Sequence, residues 1–303
     1  MEPHNAFSRM QNFILILIDT KMTVNELSKQ ITTLLTPRYG KEEAPWIARI
    51  IFEKVKGWTR TDMLVHADDE ASDFVVEQTT EIARKCAEGT PIQYVIGETQ
   101  WHGLKLKVTP DVLIPRPETS MLVDIITDTV EGRSDLNVLD LCTGSGCIAV
   151  ALARQLPFAK VSAGDISPRA LDVARENAEL TKTKINFFEC DVRLPLPLPD
   201  GTQDVIVANP PYVLESERKE MEEHVEAHEP ALALFVPDDD PLRFYTPIAH
   251  EASRLLKPGG YLFFEINPLC AEEMRKMLAA EGFADVNIQK DMYGKDRFAI
   301  CKV

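Results

Sequence analysis

Short apolar runs alternate with amphipathic stretches along the chain after Pro117. The runs have the length of strands and the amphipathic stretches have helical spacing, so strands and helices are expected in turn. The predicted strands cover residues 137–141, 160–165, 185–192, 204–208, 261–266, 286–289 and 297–302, and the predicted helices cover residues 146–156, 168–180 and 271–281. This order predicts an α/β fold with a doubly wound, mostly parallel sheet and an antiparallel closing strand. Ligands of such sheets lie at the carboxyl ends of the strands.

The first third of the chain has a different pattern. Residues 22–93 begin with a capped helix start at Thr23 and keep helical apolar spacing, which predicts a small helical bundle; this bundle is interpreted as a substrate-recognition domain. Residues 94–114 alternate with a period of two around a turn at His102–Gly103, which predicts a β-hairpin linker. Residues 115–303 then form the α/β domain. A chain of 303 residues is long enough for two domains of this kind.

Residues 1–21 are interpreted as an N-terminal extension, with Met22 as an alternative start of translation. The apolar run at residues 13–18 is too short for a signal peptide and has no small-residue cleavage site after it. No stretch approaches the roughly 18 to 20 apolar residues of a membrane span, so no membrane association is expected. A bacterial cytoplasm is the expected location, and a monomer is the expected state.

The composition limits the possible functions. The chain is 45% hydrophobic and 27% charged, as soluble globular proteins are. Its formal net charge of -15 argues against an extended basic face, and we therefore expect no direct nucleic-acid partner. The six cysteines include no C-x-x-C pair, which predicts reduced thiols and no metal site. Trp46 and Trp101 are expected in the core.

A glycine turn follows the first predicted strand of the α/β domain. The sequence Asp-Leu-Cys-Thr-Gly-Ser-Gly at residues 140–146 runs from the strand into the next helix. Gly144 and Gly146 allow the backbone to approach a ligand closely, and the helix start offers free amides to an anion. The alternative reading is a tight turn without a ligand.

Acidic residues end the next two predicted strands. Asp165 is placed to accept hydrogen bonds from the two hydroxyls of a ribose, because Ser167 already provides the helix cap that Asp165 could otherwise form. Asp191, with the amide of Val192, is placed to meet an exocyclic amine and a ring nitrogen; a solvated loop carboxylate is the alternative. Ala149 stands where a third glycine would be, which favours a single nucleoside over a dinucleotide.

The fourth predicted strand ends in Asn209-Pro210-Pro211-Tyr212. The prolines remove two backbone donors and hold an extended turn. The Asn209 side chain and the Pro210 carbonyl then form a pair of acceptors for an NH₂ group, and Tyr212 offers a flat face to a planar substrate. A stiffened loop without chemistry is the alternative.

These motifs resemble those of the class I S-adenosylmethionine methyltransferases, Rossmann-like enzymes that modify planar nitrogens. Two further stretches, Ile-Pro-Arg-Pro-Glu-Thr at residues 114–119 and Glu-Pro-Ala-Leu-Ala-Leu at residues 229–234, resemble the release factor glutamine methyltransferases. The resemblance covers residues 22–303. It implies S-adenosyl-L-methionine as cofactor and the glutamine of the Gly-Gly-Gln loop of class-I peptide chain release factors as substrate, with N5-methylglutamine as product.

The resemblance also implies roles for individual residues. It assigns the cofactor to the turn at residues 142–146, to the entrance and to the ends of three strands: Arg116, Thr119, Cys142, Thr143, Gly144, Ser145, Gly146, Asp165, Asp191, Val192 and Asn209. It assigns the target amide and closure of the pocket to Glu118, Asn209, Pro210, Pro211, Tyr212, Glu229 and Pro230. Asn209 through Tyr212 are the implied catalytic residues. Two residues depart from the family pattern, since Cys142 replaces a usual glycine and Ser120 a common glutamate.

Two other functions are compatible with the same motifs. One is an N-methyltransferase that acts on an exocyclic amine of a DNA or RNA base, which would flip the base into the pocket. The negative net charge and the absence of a recognisable basic arm disfavour it. The other is a module that binds the nucleoside and a partner without turnover, which the intact tetrapeptide at Asn209 disfavours.

Overall fold

The computed structural model describes residues 21–220 and 227–303, without the side chain of Glu220. The chain divides into two compact units, Met1–Gly97 and Glu98–Val303. The predicted extension with its apolar run lies outside the described residues, apart from Lys21. The hairpin belongs to the second of these units. The predicted domain boundaries at residues 93 and 114 stay predictions.

The described part of the first unit is helical. Its helices are α1 (Val24–Lys56), α2 (Arg60–Val65), α3 (Asp73–Ala87) and α4 (Ile92–Ile96). The predicted start at Thr23 is confirmed, because the Glu26 amide donates to Thr23 Oγ1 at 3.2 Å and the Thr23 amide donates to the Glu26 carboxylate at 2.8 Å. Gly40, at φ 71°, interrupts α1. None of the helices in the described ranges is long and apolar enough to span a membrane.

The two tryptophan predictions have different outcomes. Trp101 is 5% exposed in the core of the second unit, as expected, but Trp46 is 45% exposed and its prediction is wrong. Ala44, Ile47, Ala48 and Ile51 are buried residues in this part of α1. Trp46 lies about 200° around the helix from Ala44, at about 100° per residue, so it points away from their stripe.

A seven-stranded sheet forms the centre of the second unit. Its strands are β3 (Asn137–Leu141), β4 (Lys160–Asp165), β5 (Ile185–Glu189), β6 (Gln203–Ala208), β9 (Leu256–Glu265), β10 (Ala284–Lys290) and β11 (Asp296–Lys302). They lie in the order β10-β11-β9-β6-β3-β4-β5. Strands β3, β4, β5, β6 and β9 are parallel, and β11 pairs antiparallel with both β9 and β10. Along the chain, β4 and β5 are added on one side of β3, and β6 and β9 are then added on its other side. This change of side leaves a crevice at the carboxyl ends of β3, β4 and β6.

Helices cover both faces of the sheet, as predicted. They are α5 (Pro117–Thr129), α6 (Cys147–Gln155), α7 (Pro168–Thr181), α8 (Tyr245–Leu255) and α9 (Ala271–Ala280). Val138 belongs to the apolar core that includes residues of α5 and α6, whereas its neighbour Leu139 belongs to the core that includes residues of α8 and α9. The central strands β3 and β6 are therefore buried on both faces, which explains why they are mostly apolar.

The structure differs from the sequence prediction at several element boundaries. The strand predicted to end at residue 192 ends at Glu189, so Asp191 lies in the loop beyond it. The strand predicted from residue 261 begins at Leu256. Helices α5 and α8 are not predicted from the sequence, and neither has a side chain that caps its first turn. The two-stranded pair β7 (Val213–Leu214) and β8 (Phe235–Val236) was also missed.

The predicted hairpin is present as β1 (Glu98–Trp101) and β2 (Leu104–Lys107), and its turn is at His102–Gly103. Fully buried Asn177 of α7 joins it to the sheet. The Lys107 amide donates to Asn177 Oδ1 at 2.6 Å, and Asn177 Nδ2 donates to the carbonyls of Lys107 at 3.0 Å and Ser145 at 2.9 Å. One side chain therefore holds β2 and the glycine turn together.

We expect Asn177→Ala to lower the free energy of unfolding by about 2–4 kcal/mol, because it leaves several backbone groups without a partner at about 1–3 kcal/mol each. Urea unfolding followed by circular dichroism measures the loss. Asn186→Ala, at an exposed position in β5, is the matched control and should change stability by less than about 0.5 kcal/mol. Equal losses in the two variants would contradict the role of Asn177.

Asp140, near the end of β3, carries a fully buried carboxylate. Thr143 Oγ1 donates to its Oδ2 at 2.5 Å, and the Ala149 amide donates to the same oxygen at 3.2 Å. Oδ1 has no hydrogen-bond partner among the residues that the structure describes. Burial raises the pKa of Asp140 to about 7; the two hydrogen bonds oppose this rise, and the charge of Asp165 adds to it.

The raised pKa of Asp140 predicts a stability that falls as the pH rises. An unfolded aspartate has a pKa of about 3.9, so between pH of about 4 and about 7 the folded state keeps a proton that the unfolded state releases. The free energy of unfolding should decrease through this window by at most about 1.4 kcal/mol per pH unit, and Asp140→Asn should remove that decrease.

Thermal unfolding of the wild type and Asp140→Asn across this pH range tests the sign. The difference in stability should shift in favour of the variant as the pH rises, and it should become constant above pH of about 7. A difference that is the same throughout the window would show that Asp140 does not titrate there.

Candidate active site

A cavity of about 430 Å³ lies at the carboxyl ends of β3, β4 and β6, where the sheet topology predicts a ligand. Its size is in the range of small-molecule sites. Twelve of the residues predicted for the site line it: Arg116, Thr119, Cys142, Thr143, Gly144, Ser145, Asp165, Asp191, Val192, Asn209, Pro211 and Pro230. Segments far apart in the sequence therefore meet around one cavity.

The glycine turn forms one side of this cavity. Gly144 and Gly146 both have positive φ, at 54° and 76°. A Cβ at Gly146 would come within 2.9 Å of the Ala174 Cβ, so the close approach of α6 and α7 requires glycine there. A Cβ at Gly144 would meet no atom within 4 Å, which leaves open space at the turn. Such a turn at a helix start suits a small ligand with an anionic group.

Cys142 adopts the left-handed conformation with φ of 58°. This conformation costs a side chain other than glycine roughly 1–2 kcal/mol, which gives a physical reason for the glycine that the family pattern has here. Burial raises the pKa of the Cys142 thiol well above its ordinary value, and the charge of Asp165 adds to the rise. The thiol is therefore protonated at neutral pH and is a weak nucleophile.

Asp165 connects the glycine turn with the start of α7. The Gly144 amide donates to its Oδ2 at 2.8 Å, and the Ser167 amide donates to its Oδ1 at 2.9 Å. Ser167 caps α7, as predicted, by accepting from the Ala170 amide at 3.2 Å. Burial raises the pKa of Asp165, and these backbone donors oppose the rise. Each carboxylate oxygen keeps a lone pair for a hydroxyl donor in the cavity.

Asp191 lies in the cavity wall but also forms a local ion pair. Arg193 donates to it from Nη2 at 2.6 Å, from Nε at 2.9 Å and from its amide at 3.0 Å. Hydrogen bonds from Arg193 lower the pKa of Asp191. Val192, 6% exposed, contributes an apolar surface beside it. The predicted contact of Asp191 with an exocyclic amine stays a prediction, and Arg193 competes for the same oxygens.

A buried carboxylate that the sequence analysis did not select lies behind Asn209. Glu265 ends β9 and is 1% exposed. Its Oε2 accepts from Thr119 Oγ1 at 2.7 Å and from Asn209 Nδ2 at 3.1 Å, and its Oε1 accepts from Tyr212 Oη at 3.0 Å. The sequence signal for Glu265 was a single carboxylate at the end of an apolar strand, because a glutamate is rarely buried unless it is paired.

Arg297, at the start of β11, extends this network. Its Nη1 donates to Tyr212 Oη at 3.4 Å, and its Nε lies 3.3 Å from the buried carboxylate of Asp291. Burial raises the pKa of Glu265, whereas the hydrogen bonds from Thr119 and Tyr212 and the charge of Arg297 lower it. These donors and the cation stabilise the ionised carboxylate inside the protein.

An ion pair between Arg116 and Glu229 joins two segments that are far apart in the sequence. Arg116 Nη2 lies 2.6 Å from Oε1 of Glu229, whose side chain is fully buried, and the Ile114 amide donates to Glu229 Oε2 at 3.3 Å. The next residue, Pro230, lines the cavity. The segments 114–116 and 229–230, predicted to close the pocket, are thus in contact.

Five of the predicted site residues are not in the cavity wall that the described residues form: Gly146, Pro210, Tyr212, Glu118 and Glu229. Three of the five contact segments around the cavity: Gly146 is the N-cap of α6, Tyr212 donates to Glu265, and Glu229 accepts from Arg116. Within residues 21–220 and 227–303, no group of three or more histidine, cysteine, aspartate or glutamate side chains could hold a metal ion.

The chain is similar to families and structures of known proteins. The family model "Methyltransferase small domain" matches residues 117–229, and "PrmC N-terminal domain" matches residues 26–97. A solved methyltransferase structure from Pyrococcus furiosus, 20% identical, covers 66% of this chain and 89% of its own, with a TM-score of 0.48. With the sheet order described above, the family models identify the second unit as a class I S-adenosylmethionine-dependent methyltransferase fold.

Two relatives match nearly the whole chain. A protein of Bacteroides thetaiotaomicron named release factor glutamine methyltransferase is 41% identical over 274 residues, which are 90% of this chain and 98% of the relative. A protein of Flavobacterium psychrophilum with the same name is 39% identical over 281 residues, 91% of this chain and 98% of its own. At this identity and coverage, the chain belongs to the release factor glutamine methyltransferase family.

Proposed function

We propose that this chain transfers a methyl group from S-adenosylmethionine to the side-chain amide nitrogen of the glutamine in the Gly-Gly-Gln motif of class-I peptide chain release factors. The products are N5-methylglutamine and S-adenosylhomocysteine. The observation that carries this proposal is the position of Asn209 in the wall of the cavity where the glycine turn and Asp165 meet. The names of the relatives support the choice of substrate.

Three groups of cavity residues fit three parts of the cofactor: its methionine carboxylate, its ribose and its adenine. The open turn at Gly144 and the free amides at the start of α6 suit its methionine carboxylate. Asp165 keeps acceptor capacity for the ribose hydroxyls, and Val192 with Asp191 offers an apolar and a polar contact to the adenine. Arg116 and Thr119 stand in the wall on the entrance side. When bound, the cofactor supplies an electrophilic methyl group on a sulfonium.

Asn209 and Pro210 provide the substrate side of the mechanism. A carboxamide nitrogen is a weak nucleophile because its lone pair is delocalised into the carbonyl. If Asn209 Oδ1 and the Pro210 carbonyl accept the two N–H bonds, the lone pair points toward the methyl group. Positioning of this kind can lower a barrier by about 7–11 kcal/mol. Acceptors also stabilise the positive charge that develops on the nitrogen.

The reaction balances without a strong base. The amide nitrogen would use its lone pair to form the new bond to the methyl carbon, and the electron pair of the broken sulfur–carbon bond would leave with S-adenosylhomocysteine. The methylated amide would first be a cation with two N–H bonds, which is a strong acid, and loss of one N–H proton to solvent would give neutral N5-methylglutamine. The role of the chain is therefore to orient the amide, with Tyr212 held behind Asn209 by Glu265.

The release factor is the proposed macromolecular partner, and we propose that its glutamine loop enters the cavity beside Arg116 and Pro230, which both line it. We propose that the enzyme acts as a monomer in the cytoplasm, where release factors work. The negative net charge of -15 does not favour a direct nucleic-acid partner.

The two halves of the site should respond differently to mutation. Asn209→Ala should lower kcat by at least about 100-fold, because a preorganised acceptor at the reacting nitrogen is lost, with little change in the Kd for S-adenosylmethionine. Asp165→Ala should raise that Kd by about 10- to 100-fold, since it removes charge-assisted hydrogen bonds. Calorimetry and single-turnover kinetics measure the two effects.

Asp172→Ala is the control, because Asp172 is an exposed aspartate of α7 that pairs with Arg175. It should leave both constants unchanged. Equal losses of cofactor affinity in Asn209→Ala and Asp165→Ala would mean that the two residues have been given the wrong roles.

The substrate class is tested by methyl transfer from labelled S-adenosylmethionine. We expect label on a purified release factor, none on its Gly-Gly-Gln to Gly-Gly-Ala variant and none on duplex DNA, because only the glutamine offers the amide. Label on DNA alone would establish a base methyltransferase. Label on no acceptor would favour a binding module without turnover.

A further inference from the structure

The carboxylate of Glu265 is the least explained charge near the cavity. It is 1% exposed and lies behind the wall, so it does not touch a ligand through the cavity surface. Three side chains nevertheless donate to it, and all three belong to segments already assigned to the site: Thr119, Asn209 and Tyr212. A buried charge with this many donors fixes their orientation.

The contact with Asn209 decides which way its amide faces. An ionised carboxylate only accepts hydrogen bonds, so the group 3.1 Å from Glu265 Oε2 must be the Asn209 Nδ2. The reverse orientation would place Asn209 Oδ1 against the carboxylate and be repulsive. With Nδ2 held behind the wall, Oδ1 is the atom left to accept from a substrate.

The direction of the neighbouring hydrogen bonds supports an ionised Glu265. Arg297 Nη1 donates to Tyr212 Oη, and Tyr212 Oη in turn donates to Glu265 Oε1. Arg297 cannot accept a hydrogen bond, so this chain of donors has one direction. The carboxylate of Asp291, whose side chain is fully buried, holds Arg297 from the other side. Hydrogen-bond donation in this network therefore runs from Arg297 through Tyr212 to Glu265.

We propose that Glu265 is a positioning residue for methyl transfer: it holds the Asn209 amide with its oxygen toward the substrate nitrogen. This inference rests on the proposed function of the same site. Glu265 acts through Asn209 and Tyr212 and makes no contact with the reacting atoms. Its loss should therefore lower kcat and leave cofactor affinity intact.

A double-mutant cycle separates this role from a structural one. Glu265→Gln introduces an amide that either turns the Asn209 side chain or leaves the Tyr212 hydroxyl without an acceptor, and kcat should fall by about 10- to 100-fold. Asn209→Asp sets two carboxylates against each other and should also lower kcat. In the double variant, the amide introduced at one position donates to the carboxylate introduced at the other.

The double variant should consequently have a kcat at least about tenfold above the product of the two single effects. All three variants should bind S-adenosylmethionine with a Kd within about twofold of the wild type, which also shows that they are folded. Glu251→Gln is the matched control, because Glu251 is a buried glutamate of α8 that accepts from Arg254 and the Leu196 amide. It should lower stability without changing kcat.

Two results would overturn the inference while the proposed function stands: a kcat for Glu265→Gln within about twofold of the wild type, or purely multiplicative effects in the double variant. If the wild type transfers no methyl group to a release factor, the proposed function fails instead. The side-chain NH₂ resonances of Asn209 in the cofactor-free protein then decide the inference. They should shift in Glu265→Gln and not in Glu251→Gln, and unchanged resonances would overturn it.

Discussion

The pairing of β3 with β4 on one side and with β6 on the other is the constraint on which the site depends. All three strands are parallel, so their carboxyl ends lie at one edge of the sheet. The glycine turn, Asp165 and Asn209 each follow one of these ends. The strands that follow β3 are added first on one side of it and then on the other, and this change of side opens the crevice between the strand ends, so the cavity is a direct result of strand order.

Burial of charge is the second common feature of this edge. Asp140, Glu229 and Glu265 are all buried carboxylates, and each accepts hydrogen bonds from a neighbouring segment. A charge removed from water needs such partners, so each carboxylate restricts the geometry of the loops that supply the donors. Burial of these carboxylates costs folding free energy, and the donors that compensate for it fix the arrangement of groups around the cavity. Burial raises the pKa of Asp140, and its Oδ1 has no hydrogen-bond partner among the described residues.

Much of the fold and part of the site could be predicted from the sequence because periodicity and turn residues are local signals. The strands of the sheet and the turn at Gly144 follow from them, and the family model confirms the fold class. Glu265 could not be placed in the same way, since its partners are 53 to 146 residues away in the chain. The ion pair of Asp191 with Arg193 was also missed, because a two-residue spacing does not predict whether side chains meet. Helix α8 lacks a capping side chain and gave no start signal.

The order in which the network's members occur along the chain has a consequence for biosynthesis. The residues proposed to hold the cofactor end at Asn209, whereas Glu265 and Arg297 are supplied by β9 and β11, which follow Asn209 in the chain. β9 also pairs with β6, the strand that ends at the tetrapeptide proposed to be catalytic. A growing polypeptide thus has the residues proposed to contact the nucleoside before it has the carboxylate proposed to aim the Asn209 amide. Under the proposed role of Glu265, competence for catalysis therefore requires β9 to be synthesised and paired with β6.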